Sequence, residues 1–138
     1  MATIVPCLRY RDARKAISRL CEVFDFERHL VVDGEDGSVV HAELIMGSSM
    51  IMLGSVRPGS AYGDLLVQPD EIDGRQTQTI YLTVADADAV HERAQHAGAA
   101  IAMPLIDADY GGRGFTCRDR EGHVWSIGTY DPWQAGPA

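Results

Sequence analysis

Residues 78–98 read QTIYLTVADADAVHERAQHAG, and residues 4–26 read IVPCLRYRDARKAISRLCEVFDF. Each stretch begins with a short strand-like run. Each then places an aspartate, Asp86 or Asp12, ahead of a segment whose apolar residues recur at helical spacing. In the earlier stretch that stripe is residues 13, 16, 17, 20, 21 and 24. An offset of 74 carries Leu8 onto Leu82, Asp12 onto Asp86 and Ala16 onto Val90. The same offset of 74 carries Ile51 onto Trp125, Leu53 onto Ile127, Gly54 onto Gly128 and Ser55 onto Thr129. One offset that holds at both ends of a segment points to a duplicated structural unit.

Each half offers three further strand-like runs. In the first half these are RHLVVDG, closed by the turn GEDG, then VVHAELIMG, then MIMLGS after a Gly-Ser-Ser turn. In the second half IAMPLI is broken by Pro104, which suits an edge strand or a bulge, and GGRGFTCRD and HVWSIGTY follow. Gly98 is placed to end the second helix. The expected order is β-α-β-β-β, twice. The expected class is α+β: one domain over residues 1–138, built of two tandem modules at 4–56 and 78–131, with curved mixed sheets around a concave cavity. Residues 57–77, rich in Pro, Gly and Asp, read as a linker or flap. The tail DPWQAGPA reads as a loose end pinned by Trp133.

A four-stranded sheet with one helix has one covered face. That face is expected to take Pro6, Leu8, Tyr10, Ile51 and Leu53, and in the second half Ile80, Leu82, Val84, Trp125 and Ile127. The opposite face is expected to take Val5, Cys7 and Arg9, then His41, Glu43 and Ile45, then Met50 and Met52. In the second half it is expected to take Thr79, Tyr81 and Thr83, Phe115 and Cys117, and Val124 and Ser126. Apolar and polar groups mixed in this way suit a ligand-binding concavity. Arg9, His41 and Glu43 speak against plain core, because burying them without partners is costly.

The composition narrows the function. The formal net charge is -8, which disfavours nucleic acid as a partner. No apolar run approaches the roughly 20 residues that span a bilayer, and the N-terminus lacks the pattern of a signal peptide. Cys7, Cys21 and Cys117 are odd in number and widely spaced, which fits reduced thiols in a cytoplasm.

Taken together, residues 4–131 resemble the vicinal oxygen chelate superfamily, in its glyoxalase and bleomycin-resistance-like branch. The resemblance rests on the paired units, on LRYRDARKAISRLCEVFDFE and YLTVADADAVHERAQHAGA, and on RDREGHVWSIGTY, which is similar to the family's closing hairpin. It implies a homodimer whose sheets are completed between modules, often across chains. In metal-using members it implies four inward ligand positions, which fall here at Val5, Met52, Thr79 and Ser126. Divalent cations need carboxylate oxygens or imidazole nitrogens, and this set supplies neither. The expectation is therefore no metal, no other cofactor and no catalytic residue. In this superfamily such a loss marks the branch that sequesters a ligand rather than transforming it.

Other chemistries find weak support. His41 and Glu43 share a strand face and can chelate together, but a third ligand would have to come from Cys117 or a partner chain. The bland reading pairs His41 with Glu43 or with a ligand. No GxSxG or HExxH motif occurs, and GGRG at 111–114 precedes a strand, unlike a phosphate loop. Expected ligand contacts are Arg9, His41, Glu43, Met50, Met52, Tyr81, Tyr110, Arg113, Phe115 and Ser126. The leading expectation is a dimeric module that sequesters a small planar, antibiotic-like molecule. The alternatives are a metal-dependent lyase, isomerase or dioxygenase with relocated ligands, and a regulatory domain with a vestigial cavity. Glu43 favours a cationic ligand, whereas Arg9 and Arg113 favour an anionic one.

Overall fold

A computed structural model describes residues 2–134. The chain divides into two compact units, with the boundary between Asp73 and Gly74. The first unit runs β1 (Cys7–Tyr10), α1 (Ala13–Phe24), β2 (Glu27–Asp33), β3 (Val39–Met46) and β4 (Ser49–Ser55). The second runs β5 (Ile80–Thr83), α2 (Ala87–His96), β6 (Ala100–Asp107), β7 (Arg113–Arg118) and β8 (Val124–Gly128). Both are β-α-β-β-β, and the α+β class expected from the sequence holds. The strand orders are β1-β4-β3-β2 and β5-β8-β7-β6. In each sheet the first and last strands pair in parallel and the rest pair antiparallel.

Local chemistry sets the element ends. The Asp12 carboxylate accepts a hydrogen bond from the Lys15 amide at 3.1 Å, and Asp86 accepts one from the Ala89 amide at 3.1 Å. These caps satisfy amides that the first helical turn leaves without partners. Gly98, at φ +82°, reverses the chain after α2. The register of β6 shifts between Met103 and Ile106, flanking Pro104, which has no amide to give the ladder.

Each helix covers one face of its own sheet. Ala13, Ile17, Leu20 and Phe24 of α1 are buried, as are Leu8, Tyr10, Leu44, Ile51 and Leu53 of the sheet. In the second unit Ala87, Val90 and Ala94 are buried on α2, with Leu82, Trp125 and Ile127 beneath. Trp125 is fully buried, and its indole N–H donates to Asp119 Oδ2 at 3.1 Å. Truncating such a ring to alanine costs about 3–5 kcal/mol.

The face assignments hold for β1, β3, β4, β5 and β8 but fail on β7. Phe115 and Cys117 were expected on the open face, yet they are 4% and 1% exposed and lie on the helix side. The Phe115 ring meets His91 of α2 edge-on, with centroids 4.9 Å apart. The pairing explains the error. Phe115 pairs with Ile127 and Cys117 with Trp125, and directly paired residues share a face. The offset of 74 hides a slip between its two ends. Leu44 pairs with Ile51 across six intervening residues, whereas Cys117 pairs with Trp125 across seven. Strand β7 thus comes one residue early and its hairpin is one residue longer. The two changes cancel, so Thr116, and not Cys117, takes the place that Glu43 holds in the first unit.

The segment after β4 is anchored to β1. Gln68 Nε2 donates to the Arg9 carbonyl at 2.9 Å, and Arg11 Nη2 meets Asp70 Oδ1 at 3.0 Å. Trp133, expected to pin the tail, is 95% exposed, and residues 135–138 of that tail lie outside the described residues.

Candidate functional site

The open face of the second sheet carries a cavity of about 500 Å³. One row of paired residues crosses its floor: Tyr81 pairs with Ser126, Ser126 with Thr116 and Thr116 with Met103. The hydroxyls of Thr116 and Ser126 lie 2.9 Å apart, each able to donate to the other. Only one of their two protons is used in that bond, so the pair keeps a donor for a ligand.

Three tyrosines, Tyr81, Tyr110 and Tyr130, stand among the lining residues. The Tyr81 hydroxyl donates to the Tyr130 carbonyl at 2.7 Å. Burial first, then Tyr110, Asp131 and Tyr130, push the Tyr81 phenol above its ordinary value, so it stays protonated as that donor. Tyr110 meets Tyr130 edge-on at 5.2 Å. It sits at the tip of a turn in which the Ala108 amide donates to the Gly112 carbonyl at 2.9 Å. Gly112, at φ +80°, comes so close to Tyr130 that an added Cβ would lie 2.7 Å from its amide nitrogen. The glycines of GGRG therefore serve a tight turn that presents Tyr110.

Arg113 borders the cavity but is held by carboxylates. Its Nε lies 3.0 Å from Asp88 Oδ2, its Nη2 3.2 Å from Asp88 Oδ1 and its Nη1 3.4 Å from Asp107 Oδ1. This hydrogen-bonded guanidinium keeps the Asp88 carboxyl below its ordinary value.

The first unit has a smaller hollow of about 230 Å³, which Arg9, His41 and Met52 line together with Cys7 and Tyr62. The Arg9 guanidinium lies 5.1 Å from the Tyr62 ring centroid and donates to the Ser55 carbonyl. Gly54 leaves it room, because a Cβ there would collide with Arg9 Nη1. His41 Nε2 is 2.8 Å from Glu43 Oε2, and His29 Nε2 is 3.8 Å from Glu43 Oε1. Met50 pairs with Ile45 on the same sheet.

The ten expected contacts thus fall five to each unit. Tyr81, Tyr110, Arg113 and Ser126 line the larger cavity, and Phe115 borders it with its ring turned to α2. Thr116, Tyr130, Asp107 and Asp109 line it without having been expected there. One signal for Thr116 stood in the sequence: it is the polar residue between the apolar Phe115 and Cys117.

The residues do not fit a divalent metal centre. The four strand positions carry Val5, Met52, Thr79 and Ser126, and none offers an imidazole or carboxylate. Among the described residues no group of three or more His, Cys, Asp or Glu is arranged to hold a metal ion. Cys117, named above as a third ligand, is 1% exposed and lies on the helix side of its sheet, where burial, with a smaller push from Asp119, raises its thiol to about 12. Among the described residues no helix is long and apolar enough to cross a membrane.

Two β-α-β-β-β units, each with a hollow lined by residues of its own sheet, define a glyoxalase-type protein. The chain belongs to the Glyoxalase/Bleomycin resistance protein/Dioxygenase superfamily, whose family model matches residues 3–127. It is 36% identical over 123 residues to the uncharacterized protein Rv0887c of Mycobacterium tuberculosis (strain ATCC 25618 / H37Rv), covering 89% of this chain and 71% of that one. The structure is similar to that of TioX from Micromonospora sp. ML1, with a TM-score of 0.69 and 31% identity over 93% of this chain and 98% of that one. It shares its fold with the fosfomycin resistance protein FosX from Listeria monocytogenes, at a TM-score of 0.69, 16% identity and 96% coverage of each chain.

Proposed function

We propose that this protein binds a small planar molecule without a metal and sequesters it, as an antibiotic-binding member of its superfamily would. The observation that carries the reading is the cavity of about 500 Å³ with tyrosines on its walls and the Thr116–Ser126 hydroxyl pair on its floor. Aromatic walls give a ring low-entropy contact area, and the floor gives it one oriented hydrogen bond. On this reading the protein works as a homodimer in the cytoplasm, where the free thiols of Cys7, Cys21 and Cys117 stay reduced. A thermal-shift screen of planar heterocycles tests it. A ligand at 100 times its Kd stabilises the fold by about 2.7 kcal/mol. The reading fails if a broad library produces no shift, or if hits shift a Ser126→Trp variant equally.

One observation favours a second reading, a metal-dependent enzyme with relocated ligands: His41 and Glu43 meet at 2.8 Å in the first unit, and a residue of a partner chain would complete the set. Elemental analysis of chelator-free protein separates the two readings. Stoichiometric zinc, nickel or iron that disappears in His41→Ala would establish the second.

A further inference from the structure

The charged groups around the larger cavity decide a question that residue types leave open, namely the sign of the ligand's charge. Arg113 is the one cationic side chain among the described residues that line the cavity. Its guanidinium is taken up by Asp88 on one side and Asp107 on the other. Two carboxylates against one guanidinium leave that trio at a net charge of minus one. Asp109, also lining the cavity, adds a further negative charge beside Tyr110. Carboxylates alone would be an ordinary solvated rim. Here they border a hollow walled by Tyr81, Tyr110 and Tyr130, whose ring faces attract cations. Both features favour the same sign, and an anion would meet the Asp109 carboxylate and aromatic faces together.

We propose that the cavity of the second unit selects a planar aromatic cation, with its ring against the tyrosines and its positive group toward Asp109. This rests on the binding reading above and adds the charge of the ligand to it. Arg113, taken up by Asp88 and Asp107, is then not an anion clamp.

The test uses the full chain and three fused-ring probes of similar size: proflavine (cation), 9-anthracenemethanol (neutral) and anthracene-9-carboxylate (anion). Affinities are measured by fluorescence titration for wild type, Asp109→Asn and the cavity-filled Ser126→Trp. The expected result is proflavine binding at least roughly tenfold tighter than either other probe. Asp109→Asn should weaken it roughly fivefold, the scale of one lost charge contact at a cation–π site, and Ser126→Trp should abolish it. Should Ser126→Trp fail to fold by circular dichroism, Thr116→Trp takes its place. If the neutral or anionic probe binds as tightly as proflavine in the cavity, the charge inference is overturned while the binding reading stands. Proflavine that binds the filled variant as well as wild type also overturns it, as attraction to the acidic surface at large. Silence from all three probes overturns the inference and counts against the binding reading itself.

Discussion

Thr116 Oγ1 and Ser126 Oγ lie 2.9 Å apart on paired positions of β7 and β8, each half-buried and each the other's hydrogen-bond partner. Replacing one with valine strands the other's hydroxyl on the cavity floor. Thr116→Val or Ser126→Val should each cost about 1 kcal/mol, while the double variant should cost less than the sum of the two. Urea denaturation of the four proteins reads this directly. Strict additivity would show that the pair contributes no mutual energy.

Two glycines that face each other across the same hairpin should differ sharply. A Cβ on Gly114 would run into the Ile127 carbonyl oxygen and come within 3.0 Å of Gly128 Cα, both backbone atoms. A Cβ on Gly128 would meet the Tyr81 hydroxyl at 2.6 Å and its Cζ at 3.3 Å, the far end of a side chain that can swing away. Gly114→Ala should therefore destabilise by about 2–3 kcal/mol, and Gly128→Ala by about 1 kcal/mol or less. Ligand binding should fall with Gly128→Ala even so, because it displaces Tyr81. Equal losses of stability would contradict the stated geometry.

Asp119 holds the second hairpin together. Its Oδ1 accepts from the Glu121 and His123 amides at 3.1 and 3.0 Å, and its Oδ2 from the Trp125 indole at 3.1 Å. Asp119→Asn keeps an oxygen for the turn amides but turns an N–H toward the buried indole. A loss of about 1–3 kcal/mol is expected, with Asp119→Ala worse. Trp125 fluorescence should report the change as a shifted emission maximum.

Alkaline stability should depend on Cys117. Its thiol is raised by burial to about 12 in the folded state, against about 8.5 when unfolded. A raised folded pKa means a stabilising contribution that is complete below about pH 8.5 and is lost as pH climbs toward 12. Melting temperature should therefore fall from pH 9 to 11 in wild type and fall less steeply in Cys117→Ala. The residual slope belongs partly to Cys21 and Tyr81, whose acidities burial weakens in the same direction. Identical slopes in the two proteins would refute the assignment.

Most of the architecture was legible because it is written in periodicity. Asp12 and Asp86 cap their helices, and the stripe through Ala16, Ile17 and Leu20 is buried as its spacing requires. The alternation of Cys7 with Leu8, and of Met52 with Leu53, survives in the sheet because one face must be dry. What escaped was a matter of register. Alternation in GGRGFTCRD has two phases, and only pairing with Trp125 and Ile127 selects between them. The role of Arg113 was equally hidden, since Asp88 reaches it from α2, 25 residues away. Nor does composition foretell that the Arg9 guanidinium lies against Tyr62 in the segment after β4.

The longer second hairpin has a consequence for how the halves of such a protein drift apart. A residue lost before a strand and one gained in the turn after it shift the numbering by one and leave the dry face in place: Phe115 and Cys117 stand where Ala42 and Leu44 stand, and all four are buried. Turn length can therefore change between the two copies without turning a strand over. The open faces differ by substitution alone, with the Thr116 hydroxyl where the first unit has the Glu43 carboxylate.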